Sequence, residues 1–222
     1  MFFPVGDSDV RGPIKPVINS ILILLNVAVF LYEVSLPETQ LNGFIETFGS
    51  IPVEIFRGQD LYTLITSIFL HGGWMHLIGN MLFLWVFGDN IESSVGSWRY
   101  LLFYLSGGIL ASLTHAILNA GSPVPCVGAS GSIAACLGAY LVMYPRSRIK
   151  VLFLLLFTTF RVSAIFFLGF WIVQQLITGV GSLSQHAANS AGVAYWAHIG
   201  GFAFGVLYGF IMRHTVKELT HD

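Results

Sequence analysis

Residues 195–213 read Tyr195-Trp196-Ala197-His198-Ile199-Gly200-Gly201-Phe202-Ala203-Phe204-Gly205-Val206-Leu207-Tyr208-Gly209-Phe210-Ile211-Met212-Arg213. A helix of about 20 apolar residues crosses a hydrocarbon core about 30 Å thick, and this run has that length and composition. From His198, one helical face continues through Gly201, Gly205 and Gly209, a repeated small-xxx-small stripe that lets a second helix approach closely. The imidazole is the exception to the apolar pattern. An ionisable group inside a span is costly, so His198 is a functional candidate, the alternative being a buried histidine that only bonds a carbonyl.

Other apolar blocks of similar length precede it in the 222 residues, of which 55% are hydrophobic and 9% charged. Ordinary soluble domains carry roughly 25% charged residues, and outer-membrane barrels show alternating ten-residue runs; neither pattern is found here. The expected fold is an all-α membrane protein, a six-transmembrane-helix bundle with spans at 17–35, 75–91, 98–118, 129–144, 162–180 and 195–213. No second domain or internal repeat is evident, so 1–222 reads as one transmembrane domain. A short N-terminal segment, 1–16, precedes the first span. Val34-Ser35-Leu36 lacks a small-x-small cleavage pattern, which predicts that this span is not removed. Residues 151–160 are expected to form an interfacial connector before the fifth span.

Basic residues collect in loops that stay inside. With an inner N-terminus, Arg11, Lys15, Arg99, Arg146, Arg148, Lys150, Arg161, Arg213 and Lys217 all lie on the inner side, and Arg57 alone lies outside. The outer loop at about 36–74 repeats Phe44, Phe48, Ile51, Ile55, Phe56, Tyr62 and Ile65, which predicts an amphipathic structure on the outer leaflet. A net charge of −1 with no basic stripe argues against nucleic acid as a partner. Cys126 and Cys136 show no CxxC or metal spacing and read as small packing residues.

This topology runs the second, fourth and sixth spans from outside to inside, so their first turns share a depth. Polar residues open all three: His76 and Asn80, then Ser130, then His198. In Gly128-Ala129-Ser130-Gly131, glycines permit a tight turn, and a helix N-terminus offers unpaired N–H groups to a developing oxyanion. Taken alone, that motif is equally small-residue packing. From Ser130 the face runs through Ala134 and Gly138; packed on the Gly201/Gly205/Gly209 stripe, it brings Ser130 beside His198, as a nucleophile and its base require. His76 and Asn80, four residues apart, share a face and can both donate hydrogen bonds, either to an oxyanion or merely to tie helices together. His71, His115 and His186 lie near span ends or in loops, where an interfacial or solvated ring is expected. No Asp or Glu occurs in the last three spans, so a third triad member is missing and the implied machinery is a Ser/His dyad. HExxH is absent, as is a pair of intramembrane aspartates; Asp89 has no such partner.

His76-xxx-Asn80, Gly128-Ala129-Ser130-Gly131 and Ala197-His198-Ile199-Gly200-Gly201, in that order on alternate spans, resemble the rhomboid proteases over nearly the whole chain. The resemblance implies a serine endopeptidase that cuts peptide bonds in or beside transmembrane segments of membrane-protein substrates. No cofactor or metal is implied. Ser130 would be the nucleophile and His198 the general base, with His76, Asn80 and the Ser130 backbone amide serving the oxyanion. It also implies an outer loop partly embedded in the bilayer, a fifth helix beside which substrate enters, and structural roles for His71 and Glu92. The basic six-helix form points to a prokaryotic plasma membrane with cytoplasmic termini. Two positions depart from the pattern. Tyr62-Thr63 stands where some members carry Trp-Arg, and Ala134 stands where some place an aromatic ring against the histidine, leaving open what orients His198. The rival readings are an inactive relative that retains clients, and a small transporter, whose polar path should continue through the apolar inner halves of these spans.

Overall fold

The computed structural model describes residues 2–7, 15–184 and 194–219; Arg11 and His186 lie outside them. The chain is a helical membrane bundle. Its helices are α1 (Val17–Ser35), α2 (Glu38–Phe48), α3 (Pro52–Phe56), α4 (Thr63–Thr66), α5 (Trp74–Phe83), α6 (Asp89–Val95), α7 (Ser97–Leu118), α8 (Ser130–Met143), α9 (Ala164–Ser184) and α10 (Tyr195–Leu219). Four of them, α1, α7, α9 and α10, contain stretches long and apolar enough to cross a membrane, whereas α8 is shorter. The expected second span is interrupted: a π-helical turn at Leu84–Gly88 joins α5 to α6. The count of six is therefore reached only with one short and one interrupted helix.

The interruption coincides with close packing. A Cβ on Gly88 would overlap Asn19 Oδ1 and lie 2.5 Å from the Tyr100 hydroxyl. α1 and α7 thus close directly on the backbone at this level, with the Tyr100 hydroxyl donating to Asn19 Oδ1 at 2.6 Å. One turn further on, fully buried Glu92 accepts the Ile18 and Asn19 N–H groups at 2.9 and 2.6 Å and the Ser97 hydroxyl at 2.5 Å. The first-turn amides of α1 have no partner within their own helix, so this carboxylate caps α1 and fastens it to α6 and α7.

Helix α8 is the centre of the bundle, with every residue from Gly131 to Tyr140 buried. Small residues on its neighbours make this possible. Cβ atoms added at Gly201 and Gly205 of α10 would overlap the carbonyl oxygens of Gly131 and Ala135, and one at Gly138 would overlap the Phe202 carbonyl. On the other side, a Cβ at Gly107 of α7 would lie 2.7 Å from the Ala135 methyl. The Gly201/Gly205/Gly209 stripe therefore meets α8 at backbone contact through Gly131, Ala135 and Ala139, one position on from the expected Ser130/Ala134/Gly138 face, of which Ala134 touches Gly201 and Gly138 touches Phe202. At 1.5 Å per residue a helix of this length covers only about 21 Å of a core about 30 Å thick. By itself α8 is accordingly too short to cross such a core.

Between α8 and α9 the expected connector takes the form of a hairpin, β2 (Arg148–Phe153) and β3 (Thr158–Ser163), and β1 (Phe2–Gly6) adds antiparallel to β2 as a third strand. Burial alternates along Arg148-Ile149-Lys150-Val151, with Ile149 and Val151 inside. Asp7, just after β1, accepts hydrogen bonds from the Tyr140 hydroxyl at 2.6 Å and from Asn90 Nδ2 at 3.0 Å, tying the sheet to the end of the bundle away from Ser130. The fifth span starts at Ala164, two residues later than expected, because β3 takes Val162 and Ser163.

The outer loop folds as α2, α3, α4 and a 3-10 turn at Ser67–Phe69. Phe56, Leu61, Tyr62 and Ile65 stay exposed on it, as an amphipathic structure against a membrane surface would have them. Tyr62 anchors the loop to itself: its hydroxyl donates to the Thr47 carbonyl at 3.0 Å, and Thr66 Oγ1 donates to the Phe48 carbonyl at 2.7 Å.

Candidate active site

Ser130 is the first residue of α8, and the turn before it passes through Gly128 at φ +127°, a conformation L side chains rarely adopt. The Gly128 N–H donates to the Ser67 carbonyl at 2.9 Å, and a backbone bridge pairs Ser50 with Cys126, so the outer loop braces this turn. The helix's own bonding begins with the Ile133 N–H to the Ala129 carbonyl at 2.9 Å. The amides ahead of it in the first turn, that of Ser130 included, have no intrahelical acceptor.

His198 lies on the first turn of α10, and the backbone contact between α8 and α10 carries it to Ser130. Ser130 Oγ and His198 Nε2 are 2.8 Å apart, within hydrogen-bond distance. Both residues are half-buried, and they line a cleft of about 220 Å³ with His76, Asn80, Phe83 and Trp171, between α5, α8, α9 and α10. A hydroxyl against an imidazole is the arrangement that activates a serine for attack on a carbonyl.

Across Gly128 stand the two α5 residues. A Cβ at Gly128 would lie 2.7 Å from His76 Nε2 and 3.5 Å from Asn80 Nδ2, so glycine is required there for these groups to reach the backbone ahead of Ser130. The Gly72 N–H lies 3.4 Å from His76 Nδ1 and donates to it, which puts the proton of the neutral ring on Nε2, the atom facing Gly128. His71 is not the solvated histidine its loop position suggested. It is buried, its Nε2 lies 3.0 Å from Asn80 Nδ2, and its ring meets that of His76 edge-on at 5.1 Å. One N–H of the Asn80 amide is engaged by His71, and the second remains for the cleft. His115, half-buried near the end of α7, lies 3.5 Å from Asn119 Nδ2. Cys126 and Cys136 are free thiols, Cys136 within the core of α8.

Two residues beside His198 were not singled out from the sequence. Gln175 of α9 is buried, with its side-chain oxygen 2.8 Å from His198 Nδ1. Trp171, one turn earlier, lies against the imidazole with ring centroids 5.6 Å apart. Ala134 leaves no ring on α8 to do this: it is fully buried in the contact with Gly201. The available signal was the pair Gln174-Gln175 inside an otherwise apolar span.

The family model described as Rhomboid domain matches residues 58–215, which takes in the whole cleft. Among curated proteins, the chain is 34% identical over 170 residues to Rhomboid protease GluP of Bacillus subtilis, an alignment covering 76% of this chain and 32% of that protein. It is 31% identical over 209 residues to mitochondrial Rhomboid protein 1 of Saccharomyces cerevisiae, covering 89% and 54%. It is 31% identical over 169 residues to RHOMBOID-like protein 4 of Arabidopsis thaliana, covering 76% and 38%. The chain thus spans between about a third and about a half of the length of these relatives.

Proposed function

The chain belongs to the rhomboid family, and from that membership we propose that it is an intramembrane serine endopeptidase working through a Ser130/His198 dyad. The observation that carries the reading is the 2.8 Å approach of Ser130 Oγ to His198 Nε2 at the first turn of α8. In this mechanism His198 takes the hydroxyl proton as Ser130 Oγ attacks the scissile carbonyl, then returns it to the leaving amine; water afterwards hydrolyses the acyl-enzyme by the same route. The oxyanion of the tetrahedral intermediate is met by His76 Nε2–H, the free N–H of Asn80 and the Ser130 amide. Substrates are transmembrane proteins, and the bilayer is the medium in which they arrive. No cofactor, metal or nucleic acid is part of the proposal.

A spanning helix hides its backbone in internal hydrogen bonds, so good substrates carry Gly, Pro or other helix-weakening residues near their outer end. The basic-residue bias supports both termini on the cytoplasmic side; one transmembrane domain over 1–222 and a prokaryotic plasma membrane are read from the six-helix form as part of the same proposal.

The direct test is purified protein in liposomes with a generic transmembrane substrate. Cleavage by the wild type and none by Ser130→Ala is the expected outcome, and equal cleavage by both would overturn the proposal. The oxyanion role is tested separately by Asn80→Ala. Loss of one preorganised donor typically lowers kcat by about 10²–10³, and a fall of that size or less is expected here because His76 and the backbone amide remain. Unchanged kcat would leave Asn80 as a residue that only ties α5 to His71.

A further inference from the structure

We propose that Gln175 is the positioning residue for the His198 imidazole, so that the base is competent only when α9 is seated against the bundle. The inference rests on the dyad reading and adds to it what orients the ring.

The face α9 turns to the bundle contains Ala164, Leu168, Gln175 and Gly179, all buried, with Trp171 half-buried between them. Phe166, Phe170, Val173, Ile177 and Val180, on its other faces, are exposed, as lipid-facing residues are. A carboxamide in the middle of the buried stripe of a membrane helix is expensive unless it is bonded, and its oxygen lies 2.8 Å from His198 Nδ1.

A carbonyl oxygen only accepts, so Nδ1 carries the proton and Nε2 of the neutral ring keeps its lone pair. Nε2 is the atom 2.8 Å from Ser130 Oγ, and that lone pair is what the serine proton needs. With the opposite tautomer, Nε2–H would face the hydroxyl and no base would be present. Trp171 adds a wall at 5.6 Å that limits rotation of the ring. Both contacts come from one helix. The remaining ring nitrogen is held from α8, so a lateral displacement of α9 leaves His198 with Ser130 alone and free to turn or change tautomer. Substrate passing beside α9 would in this way act on the base as well as on access to it.

The test uses full-length protein in liposomes with three measurements. Gln175→Leu keeps the volume and removes the acceptor; Gln175→Glu keeps an acceptor oxygen at the same reach. Gln175→Leu is expected to lower kcat on the order of 10–10² while KM stays within about twofold, and Gln175→Glu to recover most of that loss. Nitrogen-15 spectra of histidine-labelled wild type are expected to place the His198 proton on Nδ1, a readout that needs no variant to fold. A wild-type proton on Nε2, an unchanged kcat in Gln175→Leu, or equal losses in both variants would overturn the proposal. Failure of the dyad reading is distinguishable, because it would leave Ser130→Ala active.

Discussion

A fluorophosphonate probe labels the wild-type protein once, at Ser130, and His198→Ala lowers the labelling rate by about 10²–10⁴, the usual contribution of a positioned general base. The chemistry fixes the direction. A serine hydroxyl is a weak nucleophile until a base accepts its proton, and His198 Nε2 at 2.8 Å is the base within reach. Ser132 is the useful internal comparison. It sits two residues further along α8 and is fully buried. No imidazole activates it, so it stays unlabelled. Peptide mapping of the labelled protein checks the site, and circular dichroism of His198→Ala checks that the fold persists. Acidification should slow labelling of the wild type, since only the neutral ring accepts a proton. Labelling that survives His198→Ala, or that maps to Ser132, would remove the dyad even from a protein that proved to cleave peptides.

The membrane bundle could be read from the sequence because its signals are long. Apolar runs near 20 residues and the Gly201/Gly205/Gly209 stripe specify both the spans and the face on which α10 meets α8. Shorter signals were lost inside longer ones. Arg148-Ile149-Lys150-Val151 alternates with a period of two, as a half-buried strand should, but the apolar run that follows obscures it. Its partner β1 lies far away at the N-terminus, and nothing local announces that pairing. The π turn at Leu84–Gly88 likewise coincides with a tertiary contact, the close approach of α1 and α7 to Gly88.

In the site, Ser130, His198, His76 and Asn80 stood out because polar groups are conspicuous at the openings of apolar spans. His71 and Gln175 did not. His71 sits in a loop, where solvation is the ordinary expectation, and its burial comes from packing against Phe30 and His76. Gln175 is uncharged and stands beside exposed Gln174, so only the rotation of α9 tells which of the two faces the bundle. Ala134 and Gln175 belong to one account: the ring support absent from α8 is supplied from α9, a compensation between helices that no local motif encodes.

Gly205→Val is expected to separate α8 from α10 and to remove activity altogether. A Cβ at Gly205 would overlap the Ala135 carbonyl oxygen and lie 2.7 Å from its carbon, contacts with main chain that no rotamer change relieves. Overpacking a close interface costs about 1–3 kcal/mol, occasionally more, and β-branching places two further methyls in the same space. The functional loss should exceed the stability loss. A shift of about 1 Å between the helices takes Ser130 Oγ and His198 Nε2 out of hydrogen-bond distance, and a displacement of that size can cost about 10² in rate. Gly169→Ala on α9 is the matched control. Nothing lies within 4 Å of a Cβ there, and exchanging glycine for alanine in a helix interior gains roughly 0.5–1 kcal/mol. Thermal unfolding in detergent followed by circular dichroism, run beside substrate cleavage, separates the two variants. Gly169→Ala should unfold at or slightly above the wild-type temperature with full activity, and Gly205→Val below it with none. Wild-type cleavage by Gly205→Val would mean that the Ser130–His198 approach does not depend on the backbone contact between α8 and α10.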